Sequence, residues 1–164
     1  MAEDDVTGDT SVVVAELASR KAGAVASLRP DALVVGCDSL LDVDGEAWGK
    51  AASAAEAVQR WRLLRGRSAT LVTGHCLIDA LSAAEAAEVV ATIVRFGRPS
   101  DAEIDAYVAS GEPLAVAGGF TIEGRGAPFV DGVDGDPGNV IGLSIPALRR
   151  LLAQLGIAIT DLWG

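Results

Sequence analysis

The apolar positions of the chain fall into runs of distinct period. From Thr10 to Leu28, Val14, Leu17, Lys21, Val25 and Leu28 follow one another at steps of three and four, which predicts one face of a helix capped by Asp9 or Thr10. Lys21 falls on that apolar stripe, where an ammonium must either reach out to solvent or meet an anion. Leu33-Val34-Val35-Gly36 is a short continuous apolar run of the kind that forms a buried strand. It stops at Cys37-Asp38-Ser39, so Asp38 is expected where the strand emerges at a sheet edge, the rim at which open α/β sheets bind ligands. Residues 69–79 predict a strand with a kink or bulge at Gly74. Residues 86–96, rich in β-branched side chains, predict a second strand pairing with it.

Between these runs lie turn and cap signals. Asp44-Gly45 reads as a tight turn that brings Trp48-Gly49-Lys50 back towards Asp38, so that a carboxylate and an ammonium face one pocket. The plainer alternative is that Asp38 only caps a turn and Lys50 is solvated. Ser53 with Glu56 forms a capping box that starts a helix running to about Arg65, with its arginines on a solvated face. Ser100 with Glu103 starts another, ending at Ser110 and Gly111. Residues 112–142 are glycine-rich, and short strands are expected at Phe120–Glu123 and Phe129–Val133. A last helix has Ser144 as cap, Pro146 in its first turn and Gly156 as its stop. The whole reads as a single domain over residues 1–164 in which strands and helices are interspersed.

Composition narrows the function. The 164 residues are half apolar and carry a net charge of −10, which argues against nucleic-acid binding but allows a local cationic pocket for a small anion. No apolar run is long enough for a membrane span and no signal peptide opens the chain, so the expected location is cytoplasmic. Cys37 and Cys76 do not make a disulfide framework and read as buried thiols. Eleven of the thirteen cations are arginines, so Lys21 and Lys50 stand out as positions where a compact point charge is wanted. His75, the only histidine, reads as a satisfied core or rim residue, without a second histidine for a metal pair. The remaining reagents are Asp38, Glu123, Lys21 and Lys50. Carboxylates that hold Mg²⁺ or orient water, with lysines that neutralise phosphate charge, suit hydrolysis of a phosphoanhydride.

These residues also carry a family resemblance. Val35-Gly36-Cys37-Asp38-Ser39, then Gly45 and Gly49-Lys50, resemble the central motif of the Maf nucleotide pyrophosphatases. In order, Leu17-Ala18-Ser19-Arg20-Lys21-Ala22 resembles the family's lysine-bearing helix, and Gly66-Arg67 with Val72-Thr73-Gly74 its hairpin entrance. Ser110-Gly111-Glu112-Pro113, Ala117-Gly118-Gly119-Phe120, Ile122-Glu123-Gly124 and Asn139-Val140-Ile141-Gly142-Leu143 continue the pattern over nearly the whole chain. The resemblance implies an α/β fold like that of inosine-triphosphate pyrophosphatases, a mixed central sheet with flanking helices lining a nucleotide cleft. It implies conversion of a nucleoside triphosphate to monophosphate and pyrophosphate, Mg²⁺ (or Mn²⁺) dependence, a homodimer and a link to septum formation. By position, Asp38 is expected to activate water or bind metal. Lys50 and Lys21 are expected to hold phosphate, with Thr73 and Gly74 beside the substrate. Glu123 stands as a catalytic or metal-binding group where the family has glutamine, and Asp4 (or Asp5) falls at the family's early acidic position.

Three departures bear on activity. The family's opening strand and Ser-x-Ser-x-x-Arg phosphate loop have no counterpart here, so the chain reads as truncated at its start. Ala115-Val116 replaces the usual Asp-Lys, and Glu123 adds a negative charge. The alternative to an enzyme is a degenerate Maf fold acting as a nucleotide-binding or cell-division interaction module.

Overall fold

The structure, a computed structural model, describes residues 8–163. Helix α1 (Thr10–Ala26) precedes strands β1 (Leu33–Val43) and β2 (Glu46–Trp48), helix α2 (Ala54–Leu64), and strands β3 (Ser68–Asp79) and β4 (Ala84–Phe96). Helices α3 (Asp101–Ala109) and α4 (Glu112–Ala115), strand β5 (Val130–Asp134), and helices α5 (Pro137–Ile141) and α6 (Ile145–Gln154) complete it. The α/β class holds. Within it, the five strands lie in the order β2-β1-β3-β4-β5 and every pairing among the described residues is antiparallel, where a mixed sheet was expected. Short connections account for two of these pairings: two residues join β1 to β2 and four join β3 to β4, too few for a parallel crossover.

Strand β1 does not stop at Gly36. It continues through Cys37-Asp38-Ser39 to Val43, with Asp38 opposite Gly74 in the middle of the β1–β3 ladder. Asp38 therefore lies within a strand and not at its end, and the rule for carboxyl ends of parallel strands does not apply. Polar residues are tolerated there because β2 pairs only with Leu41–Val43, which leaves the first part of β1 as an edge among the described residues. The Asp44-Gly45 turn is as expected, both residues having positive φ (56° and 88°) as a two-residue hairpin of this twist demands.

Alternation along the strands separates two faces. Val34, Gly36 and Asp38 of β1 share a face with Gly74, Cys76 and Ile78 of β3, and α1 packs there through Ala18 and Ala22. The buried stripe of α1 is Thr10, Val14, Leu17, Ala18 and Ala22, whereas Val25 and Leu28 are exposed. The stripe turns towards small residues because the helix lies against glycine. A Cβ on Gly74 would sit 2.2 Å from the Val14 carbonyl oxygen, and one on Gly36 2.4 Å from that of Ala18. Gly74 is thus a contact point for α1, and the ladder passes through it without the expected kink.

The opposite face holds the larger core. Leu41, Val43, Leu71, Val94 and Phe96 meet Trp61 of α2 and Tyr107 of α3. Trp61 is almost fully buried, makes edge contacts with Phe96 and Tyr107, and donates its indole N–H to Gly119 O at 2.8 Å. Capping by Ser53, Ser100 and Ser144 is as expected. Phe120–Glu123 forms no strand. Instead Glu112 gathers the segment, accepting from Thr121 Oγ1 at 2.6 Å, Tyr107 Oη at 2.7 Å, and the N–H groups of Arg125 and Gly126 at 3.0 and 3.1 Å. Those donors curl the backbone around one carboxylate, leaving it no partner strand. The last strand begins at Val130, one residue after the expected start, and ends at Asp134.

Candidate active site

The close seating of α1 on Gly36 and Gly74 decides where Lys21 goes. Its ammonium reaches over the edge of β1 and pairs with the Asp38 carboxylate. The Asp38 side chain is 10% exposed and that of Lys21 43%, so the carboxylate is the enclosed partner. Of the two fates open to a lysine on an apolar stripe, this one meets an anion.

Lys50 arrives from the other side. Its preceding carbonyl, Gly49 O, accepts from Arg60 Nη1 at 2.7 Å and from the Gly118 N–H at 3.2 Å. Arg60 is itself held, lying 5.1 Å from the Trp48 ring centroid and pairing with Glu56 at 2.6 Å. The end of the hairpin is therefore fixed while the Lys50 side chain stays exposed, and no carboxylate pairs with it among the described residues.

Asp38, Lys21 and Lys50 line one open cleft of about 730 Å³, together with Cys37, Ser39 and Gly142. A smaller cavity of about 170 Å³ adjoins it, lined by Ser39, Lys50, Val116, Phe120, Glu123 and Ile141. Ser39, Lys50 and Ala117 belong to both, so the two spaces meet there. Val116, at the position where the family pattern has lysine, gives the small cavity an apolar wall. Glu123 is exposed and accepts from the neighbouring Ile122 N–H at 3.1 Å.

The remaining candidate positions lie elsewhere. Thr73 is fully buried behind the cleft and Gly74 is covered by α1, so neither lines the cleft. Asp4, with its neighbour Asp5, lies outside the described residues. His75 is a satisfied core residue: its Nε2 accepts from the Ser144 N–H at 2.9 Å, which leaves Nδ1–H to donate to Thr73 O at 3.1 Å. Burial pushes its pKa down, against the upward pull of that hydrogen bond and of Glu88, so the ring is a neutral structural group. Burial pushes the Cys37 thiol up, with Lys21 pulling the other way, and pushes Cys76 up to about 11. Both thiols are protonated and free, which removes them as nucleophiles.

Several supporting residues were not singled out by the sequence. Ser39 sits within the quoted motif and Glu112 within another, but nothing in either motif shows what the side chains hold. Arg60 was read as part of a solvated face. Asn139 is buried in α5, its Nδ2 donating to Val90 O at 3.1 Å and Thr92 Oγ1 at 3.2 Å.

Among the described residues no three His, Cys, Asp or Glu side chains converge as a metal cluster. Asp38 is engaged with Lys21, and Glu123 lines the neighbouring cavity and not the cleft itself. Two separated carboxylates do not cage a resident ion. They match a Mg²⁺ that keeps waters and substrate phosphates as most of its ligands.

The family model described as Maf-like protein matches residues 1–155. The chain is 58% identical over 165 residues to the nucleoside triphosphate pyrophosphatase of Streptomyces coelicolor, covering 98% of this chain and 80% of the relative. It is 54% identical over 153 residues to that of Salinispora tropica, covering 90% and 68%. To that of a Synechococcus species it is 50% identical over 158 residues, covering 96% and 80%.

Proposed function

The chain belongs to the Maf-like family, and from that premise we propose that its cleft hydrolyses nucleoside triphosphates to monophosphate and pyrophosphate. The observation that carries this reading is the convergence of Lys21, Asp38 and Lys50 on one open cleft. Two ammonium groups offset the charge of a triphosphate, and the enclosed carboxylate is the base. Water attacks the α-phosphorus and loses a proton to Asp38. The bond from that phosphorus to the bridging oxygen breaks, and pyrophosphate leaves with the negative charge that the lysines hold. Lys21 exchanges its partner in the process. Without substrate it orients Asp38, and with substrate it turns to phosphate oxygen and frees the carboxylate for the incoming proton.

Asp38 and Glu123 would share a Mg²⁺ carried in by the triphosphate, which supplies Lewis-acid polarisation of the phosphoryl oxygens when bound. The homodimer and the septum link rest on family likeness alone, and sedimentation checks the first of these. Among the described residues no helix is long and apolar enough to cross a membrane.

The test is product analysis by phosphorus NMR with a panel of canonical and modified triphosphates. Monophosphate and pyrophosphate are expected. Diphosphate with orthophosphate overturns the assignment of the cleaved bond. Binding without turnover favours the nucleotide-binding alternative, to which the apolar Val116 wall gives the one specific support.

A further inference from the structure

Three groups that the mechanism above leaves unused run in line from the core to the cleft. They are the Asn139 carbonyl, the Thr73 hydroxyl and the Ser39 hydroxyl. A carbonyl only accepts, so Thr73 gives its single proton to Asn139 O, 3.1 Å away. The Thr73 oxygen then has only lone pairs to offer Ser39 Oγ, 2.8 Å away. Ser39 must therefore donate inward, and its oxygen faces the cleft with lone pairs and no proton.

The direction of this relay is fixed by burial. Thr73 and Asn139 have no accessible surface, so neither can turn to solvent. The carbonyl that starts the relay is held in place by the Asn139 side chain, which donates to Val90 O and Thr92 Oγ1 and ties α5 to β4. Ser39 is the residue next to Asp38 and lines both the cleft and the cavity beside Lys50.

We infer that Ser39 is an obligate hydrogen-bond acceptor that receives one hydrogen of the attacking water, while Asp38 takes the other as a proton. Thr73 and Asn139 are positioning residues acting through it. Phosphate oxygens carry only lone pairs at neutral pH and are repelled by a serine presented this way, so Ser39 does not serve as a phosphate clamp. The groups that match it are a water, a ribose hydroxyl or the Lys50 ammonium of the same cavity. Strand alternation puts Ser39 and Asp38 on opposite faces of β1, and because both line the one cleft along its open edge, a water between them is favoured. No proton is lost or gained at Ser39 in the step; the oxygen of water bonds to phosphorus and pyrophosphate departs as before.

The inference rests on the proposed hydrolysis at Asp38, so Asp38→Asn is assayed alongside. Ser39→Ala and Thr73→Val should each lower kcat about tenfold and leave KM within about twofold, equally for ribo- and deoxyribonucleotides. Thr73→Ser, which restores the hydroxyl, should recover most of the loss seen with valine. The Ser39→Ala/Thr73→Val pair should be no worse than its poorer member. An unchanged kcat in Thr73→Val, a rise in KM alone, or an effect confined to ribonucleotides overturns it. If Asp38→Asn alone keeps full activity, the base assignment fails separately, and the Ser39 and Thr73 comparisons still decide the relay.

Discussion

The carboxylate of Glu112 gives the sharpest prediction about stability. Desolvation raises its pKa, yet the hydrogen bonds from Thr121, Arg125, Tyr107 and Gly126 outweigh that and hold it at about 2 against an ordinary 4.5. That difference sets a ceiling of about 3 kcal/mol on what the ionised form adds to stability. The residue is only half-buried, and solvent screening brings the expectation to about 1–2 kcal/mol. The perturbation is Glu112→Gln, which keeps the shape but places an amide N–H₂ against the Arg125 N–H. For a domain of this size the melting temperature at pH 7 should fall by about 3–8 °C. The sign with pH follows from a folded pKa below the unfolded one. The stabilisation is complete above about 4.5 and is lost as pH falls towards 2. Urea midpoints of both proteins at pH 7, 4 and 3 should therefore converge as the medium becomes acidic. A gap that is absent at pH 7, or that stays constant down to pH 3, would refute the reasoning.

Three other outcomes are expected. Asp38→Asn should lower turnover by about a hundredfold or more with a melting temperature close to that of the parent protein, and a variant that simply unfolds would remove the support for a base. Gly74→Ala should destabilise by about 1–3 kcal/mol, because its Cβ would lie 2.2 Å from Val14 O; equal denaturation midpoints would show that α1 does not rest there. The single histidine makes the third clean: ¹⁵N shifts of His75 should report a neutral Nδ1–H ring at pH 7, with any titration displaced to the acid side of an ordinary histidine. Its folded pKa lies below the unfolded value, so its contribution is present above about pH 6.5 and is lost as pH falls through the folded pKa. A ring that titrates at the ordinary value would contradict the buried bond to Ser144.

Much of the fold was legible because it depends on local chemistry. The Asp-Gly hairpin, the Ser100–Glu103 capping box and the Ser144 cap are each set by a few adjacent residues, and each is where the sequence puts it. The facing of Asp38 and Lys50 was legible too, from one turn, whereas helical spacing put Lys21 on an apolar stripe without deciding whether it reaches solvent or meets an anion. What the pattern hid was set by distant partners. Polar Cys37-Asp38-Ser39 read as the end of a strand, since nothing local shows that this part of β1 is an edge. Gly74 read as a bulge because a helix seated on it leaves no mark in the strand itself. Helix α5, only five residues long, has too little periodicity to detect and is fixed by Asn139 bonding into β4. Phe120–Glu123 has the composition of a strand but is bent by a carboxylate eight residues or more away in sequence.

The division between arginine and lysine explains how an acidic chain keeps a site for an anion. With a net charge of −10, a free cation on this surface is surrounded by carboxylates that compete for it. Eight arginines meet that demand: Arg20, Arg29, Arg60, Arg62, Arg65, Arg67, Arg95 and Arg150 each pair with an aspartate or glutamate. Among the described residues Arg98, Arg125 and Arg149 pair with no carboxylate, but none of them lines the cleft, whereas both lysines do. Lys50 is anchored through its backbone and left without a carboxylate partner among the described residues, and Lys21 pairs only with the carboxylate of the cleft itself. A planar guanidinium at position 21 would hold Asp38 through two parallel bonds and yield it less readily to an incoming phosphate. Lys21→Arg should therefore keep the charge yet lower turnover by about tenfold or more, the loss falling on kcat as Asp38 is retained in the pair. Single-turnover rates beside equilibrium binding of a non-hydrolysable triphosphate separate the two effects. An arginine variant that turns over at the parental rate would show that the release of Asp38 does not limit the reaction.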